Sequence, residues 1–594
     1  MHDGRRSFAA PRIEAEQRPG DRLHIRSVEQ LGPHPVSVVH SFRAHSEAHP
    51  DRLLVAERSA DDEWIKGSWG ELRSEADRLA QGLLDRGLAD RPVMVLSGNS
   101  RLQLAATLAA LTVGAPVVPT SVAYALQSKD HQKLRVMAEL VDPGVVVAEG
   151  SAFGAAVDAV ARGRTVLGRD LPGALSPQEF GAAPSDEVDA RCAGLRRTDV
   201  AKILFTSGST GTPKGVLNTH GQLAANQQQI RQVWPFLEDE PPVLLDWLPW
   251  SHTFGGNHNM NMVLVNGGSL WIDDGRPAPP LIGRTARNLT DVRPTLYFNV
   301  PAGYAALLPL LEGDESLARA FLDRLRLGFF AAAALPQQLW DRLESLSARH
   351  GGRMQMTTSW GLTETAPAAT SAHFPITRSD ILGVPLPGVE VALVPVGDKR
   401  EIRVKGPNVT PGYSGRPDLT EAAFDEEGFL RTGDAVALAD PDDVTAGLVF
   451  RGRIAEDFKL STGTFVSVGT LRPRLLSASR FLLLDAVICG QDGDCVTAMV
   501  WLGPAHAGRV GADGVPEDSL RAELAATMQR LAAEGGGSSQ CVERLLVLTE
   551  PAQLDAGEIT DKGYVNQAAV RDRRADLVAL LTAEPPPPRV VVRP

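Results

Sequence analysis

In Ile203-Leu-Phe-Thr-Ser-Gly-Ser-Thr-Gly-Thr-Pro-Lys-Gly-Val216 an apolar run of the kind that forms a buried strand gives way at once to hydroxyls, glycines and a single lysine. Thr206, Ser207, Ser209, Thr210 and Thr212 are interleaved with Gly208, Gly211 and Gly215, and Lys214 stands near the end. Glycines let the backbone turn tightly and aim N–H groups at an anion; hydroxyls add neutral donors and the lysine adds charge. That inventory suits a triphosphate. The Walker-type pattern, in which Ser or Thr follows the lysine, is not met, because Gly215 follows Lys214. A plain Ser/Gly surface loop is the simpler alternative. The strand before the stretch and the Pro-Lys-Gly after it argue against that.

Working outward, short apolar runs alternate with helical patterns. Helical spacing covers Glu71 to Leu88 and Leu104 to Val113. Strand-like runs lie at Arg91 to Ser97, Gly114 to Pro119, Gly144 to Ala148, Ala201 to Phe205, Leu270 to Ile272 and Leu296 to Phe298. Apolar strands alternating with amphipathic helices indicate an α/β fold of parallel-rich sheets covered by helices. At 594 residues the chain is too long for one core, so more than one domain is expected. Residues 1–34 read as a polar, Pro-bearing arm and 35–452 as the large domain. Past about Gly452 the strands AVIC, AMVWL and RLLVL and the helix SLRAELAATMQRLAAEG predict a small, mobile α+β domain over 453–582. EPPPPRVVVRP then reads as an exposed, extended tail over 583–594.

Composition narrows the partners. The formal net charge is -12 and no dense Lys/Arg run occurs, so nucleic acid is not expected as the main partner. The four cysteines, Cys192, Cys489, Cys495 and Cys541, form no CxxC pair, which fits free thiols in a reducing compartment. No apolar run approaches the roughly 20 residues that span a bilayer, and no apolar segment follows the arginines near the N-terminus, so a cytoplasmic location is expected.

Thr206 to Gly215 resembles the signature loop of the acyl-adenylate-forming (AMP-binding) superfamily, whose further landmarks follow in order over about residues 40 to 570. The resemblance implies ATP, Mg2+ and coenzyme A as the small molecules, with Thr206, Ser207, Gly208, Ser209, Thr210, Gly211 and Lys214 around the phosphates. Trp247-Leu-Pro-Trp-Ser-His-Thr-Phe-Gly-Gly256 resembles the acyl-pocket segment, which implies His252 at the carboxylate entry. Gly328 to Pro336 resembles the adenine-facing segment, which implies Ala332 and Ala333 along the purine. Ser359-Trp-Gly-Leu-Thr-Glu-Thr365 is similar to the family's YGxTE motif with Trp360 in the Tyr position. It implies Trp360 stacked on adenine and Thr363 donating to the α-phosphate. Glu364 is there the metal ligand, a hard carboxylate oxygen of the kind Mg2+ prefers.

Asp434, in Phe429-Leu-Arg-Thr-Gly-Asp434, is implied to accept the ribose hydroxyls, as acidic residues do in dinucleotide folds. Arg451-Gly-Arg-Ile-Ala-Glu-Asp-Phe-Lys459 resembles the hinge, with Arg453 on ribose or phosphate and Ala455 at the pivot. Lys562, in the C-terminal loop from Leu554 to Gly563, is implied as the mobile catalytic cation. The forms EDFKLSTGTFVSVG and LDAGEITDKGYVNQ look most like the feruloyl-CoA synthase branch, which implies a hydroxycinnamate-like acid. The resemblance leaves open a carrier protein as acceptor, oxidation of the adenylate, a catalytically degenerate nucleotide-binding regulator, and a homodimer. A membrane partner is not expected.

Overall fold

The computed structural model describes residues 8–207, 213–352, 354–480, 482–561 and 563–594. Fifteen described strands form one continuous sheet. Its middle is parallel, in the order Leu53–Arg58, Ser269–Ile272, Val243–Asp246, Leu296–Asn299, Leu327–Phe330 and Gln355–Gly361. These strands are almost wholly apolar because helices cover both faces. From Ala368–Ser371 onward the pairing turns antiparallel, through Ile381–Pro385, Leu448–Arg453 and Leu430–Leu438. A six-stranded sheet runs Pro213–Thr219, Val200–Ser207, Val117–Pro119, Val93–Val95, Val145–Glu149 and Thr165–Arg169, parallel except for its first pair.

Local signals explain where the helices begin. Trp69–Asp85 opens on a capping box in which Ser68 accepts from the Glu71 amide and Glu71 reaches back to Ser68. Arg101–Val113 starts at the Ser100 cap, stops at left-handed Gly114, and is buried along nearly its whole length between the two sheets.

Two expectations fail at the chain ends. Ile13–Arg18 and Arg22–Ser27 form an antiparallel hairpin whose second strand pairs with Glu390–Val396, so much of the proposed arm is sheet edge. The signal was a short period-2 alternation in which Leu23 and Ile25 point inward, obscured by the charged residues of an edge strand. The Pro-rich tail ends in Val590–Val592, which pairs with Arg544–Val547 and buries Val590 and Val591.

Beyond residue 457 a separate hydrophobic cluster forms, from Phe458 and Leu460 through Leu524, Met528 and Val547 to Val591. Its four-stranded sheet of Leu483–Cys489, Thr497–Leu502, Arg544–Val547 and Val590–Val592 is flanked by helices Val468–Ala478 and Asp518–Ala533. This is the small α+β domain. Among the described residues no helix is long and apolar enough to cross a membrane.

Candidate active site

Two strands of a β-hairpin flank the glycine- and hydroxyl-rich stretch. Val200–Ser207 runs antiparallel to Pro213–Thr219, with Lys214 opposite Thr206 and Pro213 opposite Ser207. Gly208, Ser209, Thr210 and Gly211 lie outside the described residues. On its far side the second strand meets Gly412–Ser414: the Leu217 amide donates to Gly412 O at 3.1 Å and the Ser414 amide to Gly215 O at 2.8 Å. A Cβ at Gly215 would stand 2.9 Å from Ile203 Cγ2 and 3.3 Å from Ser414 Cβ, so only glycine lets the backbones approach this closely.

That pairing sets Tyr413 beside Lys214, whose Nζ lies 5.8 Å from the ring centroid. The Tyr413 hydroxyl donates to Glu364 Oε1 at 3.0 Å. Burial, with Glu364 adjacent, pushes this phenol well above its ordinary range, so it remains a donor. The Thr410 amide donates to Glu364 O at 2.7 Å and Asn218 Nδ2 to Thr363 O at 3.2 Å. Thr363 and Glu364 are thereby fixed to the hairpin. Gly361 is obligatory here, because a Cβ would sit 1.8 Å from Pro367 O.

A second carboxylate faces the same cleft. Asp434 is 3% exposed, and Trp360 Nε1 donates to its Oδ2 at 3.0 Å. Arg453, opposite it across the strand pair, brings Nε to 3.1 Å from Oδ1, without hydrogen-bond geometry. Oδ1 is therefore a buried acceptor with no hydrogen bond among the described residues. Burial raises the Asp434 carboxyl above its ordinary range, the Arg453 guanidinium and the Trp360 indole draw it back, and the Glu364 charge raises it again. Glu364 and Asp434 are thus electrostatic neighbours. Trp360, which the resemblance implies stacks on adenine, is 8% exposed, and its N–H is committed to Asp434.

Ala332 and Ala333 are exposed just past the strand Leu327–Phe330, and Ala332 takes φ +73°, a left-handed conformation uncommon for alanine. Such strain persists where the surroundings impose it, commonly at ligand sites. His252 immediately precedes a π-helical turn, Thr253–Asn259, a rare form found often at functional sites. The turn is tied to the phosphate hairpin. Lys202 Nζ donates to Gly256 O at 2.8 Å, and Asn257 Nδ2 donates to Asn218 Oδ1 at 2.8 Å. Complete burial lowers the Lys202 ammonium to about 7. Below His252, the His258 ring sits among Trp234, Phe254, Phe298 and Phe329, with centroids 5.2–6.0 Å away.

Lys562 lies outside the described residues. Its neighbour Asp561 comes within 3.5 Å of His252 Nε2, so the C-terminal turn faces the acyl segment. At the junction between domains Ala455 offers only a methyl group, with no polar atom. Lys399 instead pairs with Asp457 and donates to Arg451 O at 2.9 Å. Sequence reasoning assigned no role to Lys399, Lys202, Tyr413 or Tyr124. Tyr413 stands in Gly412-Tyr-Ser-Gly-Arg-Pro-Asp-Leu-Thr420, which resembles the family's GYxxxPxxT element. The others gave no signal, because an isolated Lys or Tyr in a strand or helix reads as packing or surface.

The family model for AMP-binding enzymes matches residues 42–414, which include the hairpin, Glu364 and Tyr413. The chain belongs to the AMP-binding enzyme family. Among curated relatives, an octahydro-inden-4-yl propanoyl:CoA ligase of Rhodococcus jostii (strain RHA1) is 30% identical over 292 residues, 46% of this chain and 50% of that protein. The acyl-CoA ligase sidI of Aspergillus fumigatus is 28% identical over 420 residues, covering 62% of this chain and 66% of the relative. The chain thus spans about half to two-thirds of the length of these two relatives. The solved anthranilate CoA ligase AuaEII, in complex with anthranoyl-AMP, superposes with a TM-score of 0.70 over 91% of this chain and 98% of its own, at 17% identity. At that identity it speaks to the fold alone. In this AMP-binding enzyme Tyr413 joins Lys214 of the hairpin to Glu364, and Asp434 is the electrostatic neighbour of Glu364.

Proposed function

We propose that the protein is an AMP-forming acid–thiol ligase that activates a carboxylic acid as its acyl-adenylate and passes the acyl group to coenzyme A. The observation that carries this reading is the chain of contacts from Lys214 through Tyr413 to Glu364, with Asp434 as an electrostatic neighbour of Glu364. A polyphosphate-holding hairpin and a sugar-reading carboxylate in one cleft are what binding a nucleoside triphosphate requires. The unmet acceptor Oδ1 of Asp434 fits a ribose hydroxyl. Lys214, Thr206 and the hairpin backbone would hold the phosphates.

The acid's carboxylate attacks the α-phosphorus in line, a P–O bond forms, and pyrophosphate leaves with the electron pair of the broken bond. The thiolate of coenzyme A then attacks the acyl carbon and releases AMP. Positioning and charge neutralisation supply most of the catalysis in such transfers. Thr363 donates toward the α-phosphate, and Lys562 is the mobile cation over the reacting centre. His252 lines the carboxylate entry.

Glu364 fits a Mg2+ ion. Its Oε1 takes the Tyr413 hydroxyl, while Oε2 has no hydrogen bond among the described residues. No cluster of three or more metal-binding side chains occurs among them. Mg2+ in such sites uses one or two carboxylates together with substrate phosphates. When bound, it offsets phosphate charge.

The acid is hydroxycinnamate-like in this reading, as the feruloyl-CoA synthase resemblance implies. The test is pyrophosphate release with ATP, Mg2+ and coenzyme A over cinnamates, benzoates and fatty acids. Coenzyme A-dependent turnover highest with cinnamates is expected. Tight ATP binding without turnover on any acid would overturn the ligase reading, and turnover confined to fatty acids would overturn the aromatic one.

A further inference from the structure

A polar junction between the two domains adjoins the segment that carries His252. Residues 553–561 of the small domain press on residues 124–137 of the large one. Leu554 packs against the cluster containing Tyr124, Leu134 and Met137, and its carbonyl accepts from Lys133 Nζ at 2.6 Å. Asp555 Oδ2 accepts from the Lys129 amide at 3.0 Å. At the tip, Asp561 Oδ1 accepts from the Tyr124 hydroxyl at 3.4 Å, and Oδ2 stands 3.5 Å from His252 Nε2. The Asp561 side chain is only 6% exposed. A carboxylate hidden to that degree needs partners, and Tyr124 and His252 supply them from across the junction.

We propose that Asp561 is a positioning residue: a latch, closed on Tyr124 and His252, that holds the small domain in the orientation seen here. The proposal rests on the ligase reading, in which the turn bearing Lys562 must lie over the reacting centre for adenylation and withdraw for thioester formation. Three features suit a latch that opens in every turnover. Both contacts are long, so neither binds strongly. One of them is to a phenol that burial and Asp561 hold protonated, so it is not a full ion pair. The turn is also braced from within its own domain, where Arg574 Nε and Nη2 grip Glu558 Oε1 and Oε2 at 2.7 and 2.8 Å. It can therefore leave the large domain without losing its shape.

The test uses the full chain with Asp561→Ala and Tyr124→Phe, the second leaving the neighbourhood of Lys562 chemically intact. Acid-dependent ATP–pyrophosphate exchange is expected to fall about two- to threefold in both, as for the loss of one weak hydrogen bond. Thioester formation from preformed acyl-adenylate is expected to hold or quicken, and the melting temperature to stay unchanged. Equal loss in the two half-reactions, or undiminished exchange in both variants, overturns the latch. Amide hydrogen exchange over residues 128–133, read on the same variants, does not depend on any activity. If the wild type exchanges pyrophosphate with no acid, the ligase reading falls. Faster exchange in both variants then upholds the interdomain contact, and unchanged protection overturns it.

Discussion

Asp434 carries two oxygens in two environments. Oδ2 is fixed by the Trp360 indole, while Oδ1 is buried with only the Arg453 guanidinium nearby. Trp360, in the position where the family motif has Tyr, supplies an indole N–H that fixes the Asp434 carboxylate. Trp360→Phe keeps a ring and deletes the N–H, so ATP affinity measured by calorimetry should drop about five- to tenfold, roughly 1 kcal/mol; unchanged affinity would remove Trp360 from this role. Lys202 makes a separate prediction. Burial holds its pKa at about 7, below the usual lysine value, so above that pH the unfolded chain binds a proton that the folded chain has released. Stability then rises with pH until the unfolded lysine also titrates, at about 10.4. Lys202→Met lacks this linkage. The stability difference between wild type and variant should shift toward the wild type by about 2 kcal/mol between about pH 6 and about pH 9, read from urea unfolding at both; a flat difference would contradict it.

At the scale of the element, the C-terminal turn depends on its internal brace. Glu558 is fully buried, accepts from the Gln553 amide at 2.9 Å and takes both Arg574 bonds. Glu558→Ala leaves Arg574 unpaired in the interior and should cost about 3–5 kcal/mol. Guanidinium unfolding of the full chain checks this, and a cost below about 1 kcal/mol would show the pair to be dispensable. Elements whose residues act through their own neighbours were legible in the sequence. The apolar run ending at Phe205 became a central strand of its sheet, and the Ser68 and Glu71 cap opened a helix where helical spacing begins. Elements made by distant pairing were not. The edge hairpin at residues 13–27 is secured by Glu390–Val396, and the strand Val590–Val592 by Arg544–Val547.

For the whole molecule, the motifs marked Glu364, Asp434 and Arg453 as one group; the large sheet sets Arg453 beside Asp434, and Glu364 is the electrostatic neighbour of Asp434. The connections between them were not written locally. Tyr413 reaches Glu364 because strand pairing sets residues 412–414 beside Gly215, and Lys202 reaches Gly256 across two layers. Lys399 replaces the missing pivot side chain from a strand more than fifty residues before the hinge. If the cleft forms an acyl-adenylate, one carboxylate oxygen of the acid must end on AMP. The direct measurement is mass spectrometry of AMP released with ATP, coenzyme A and an accepted acid labelled with oxygen-18 in its carboxylate. AMP carrying one labelled oxygen is the predicted result; unlabelled AMP, or ADP and phosphate in its place, would contradict the account.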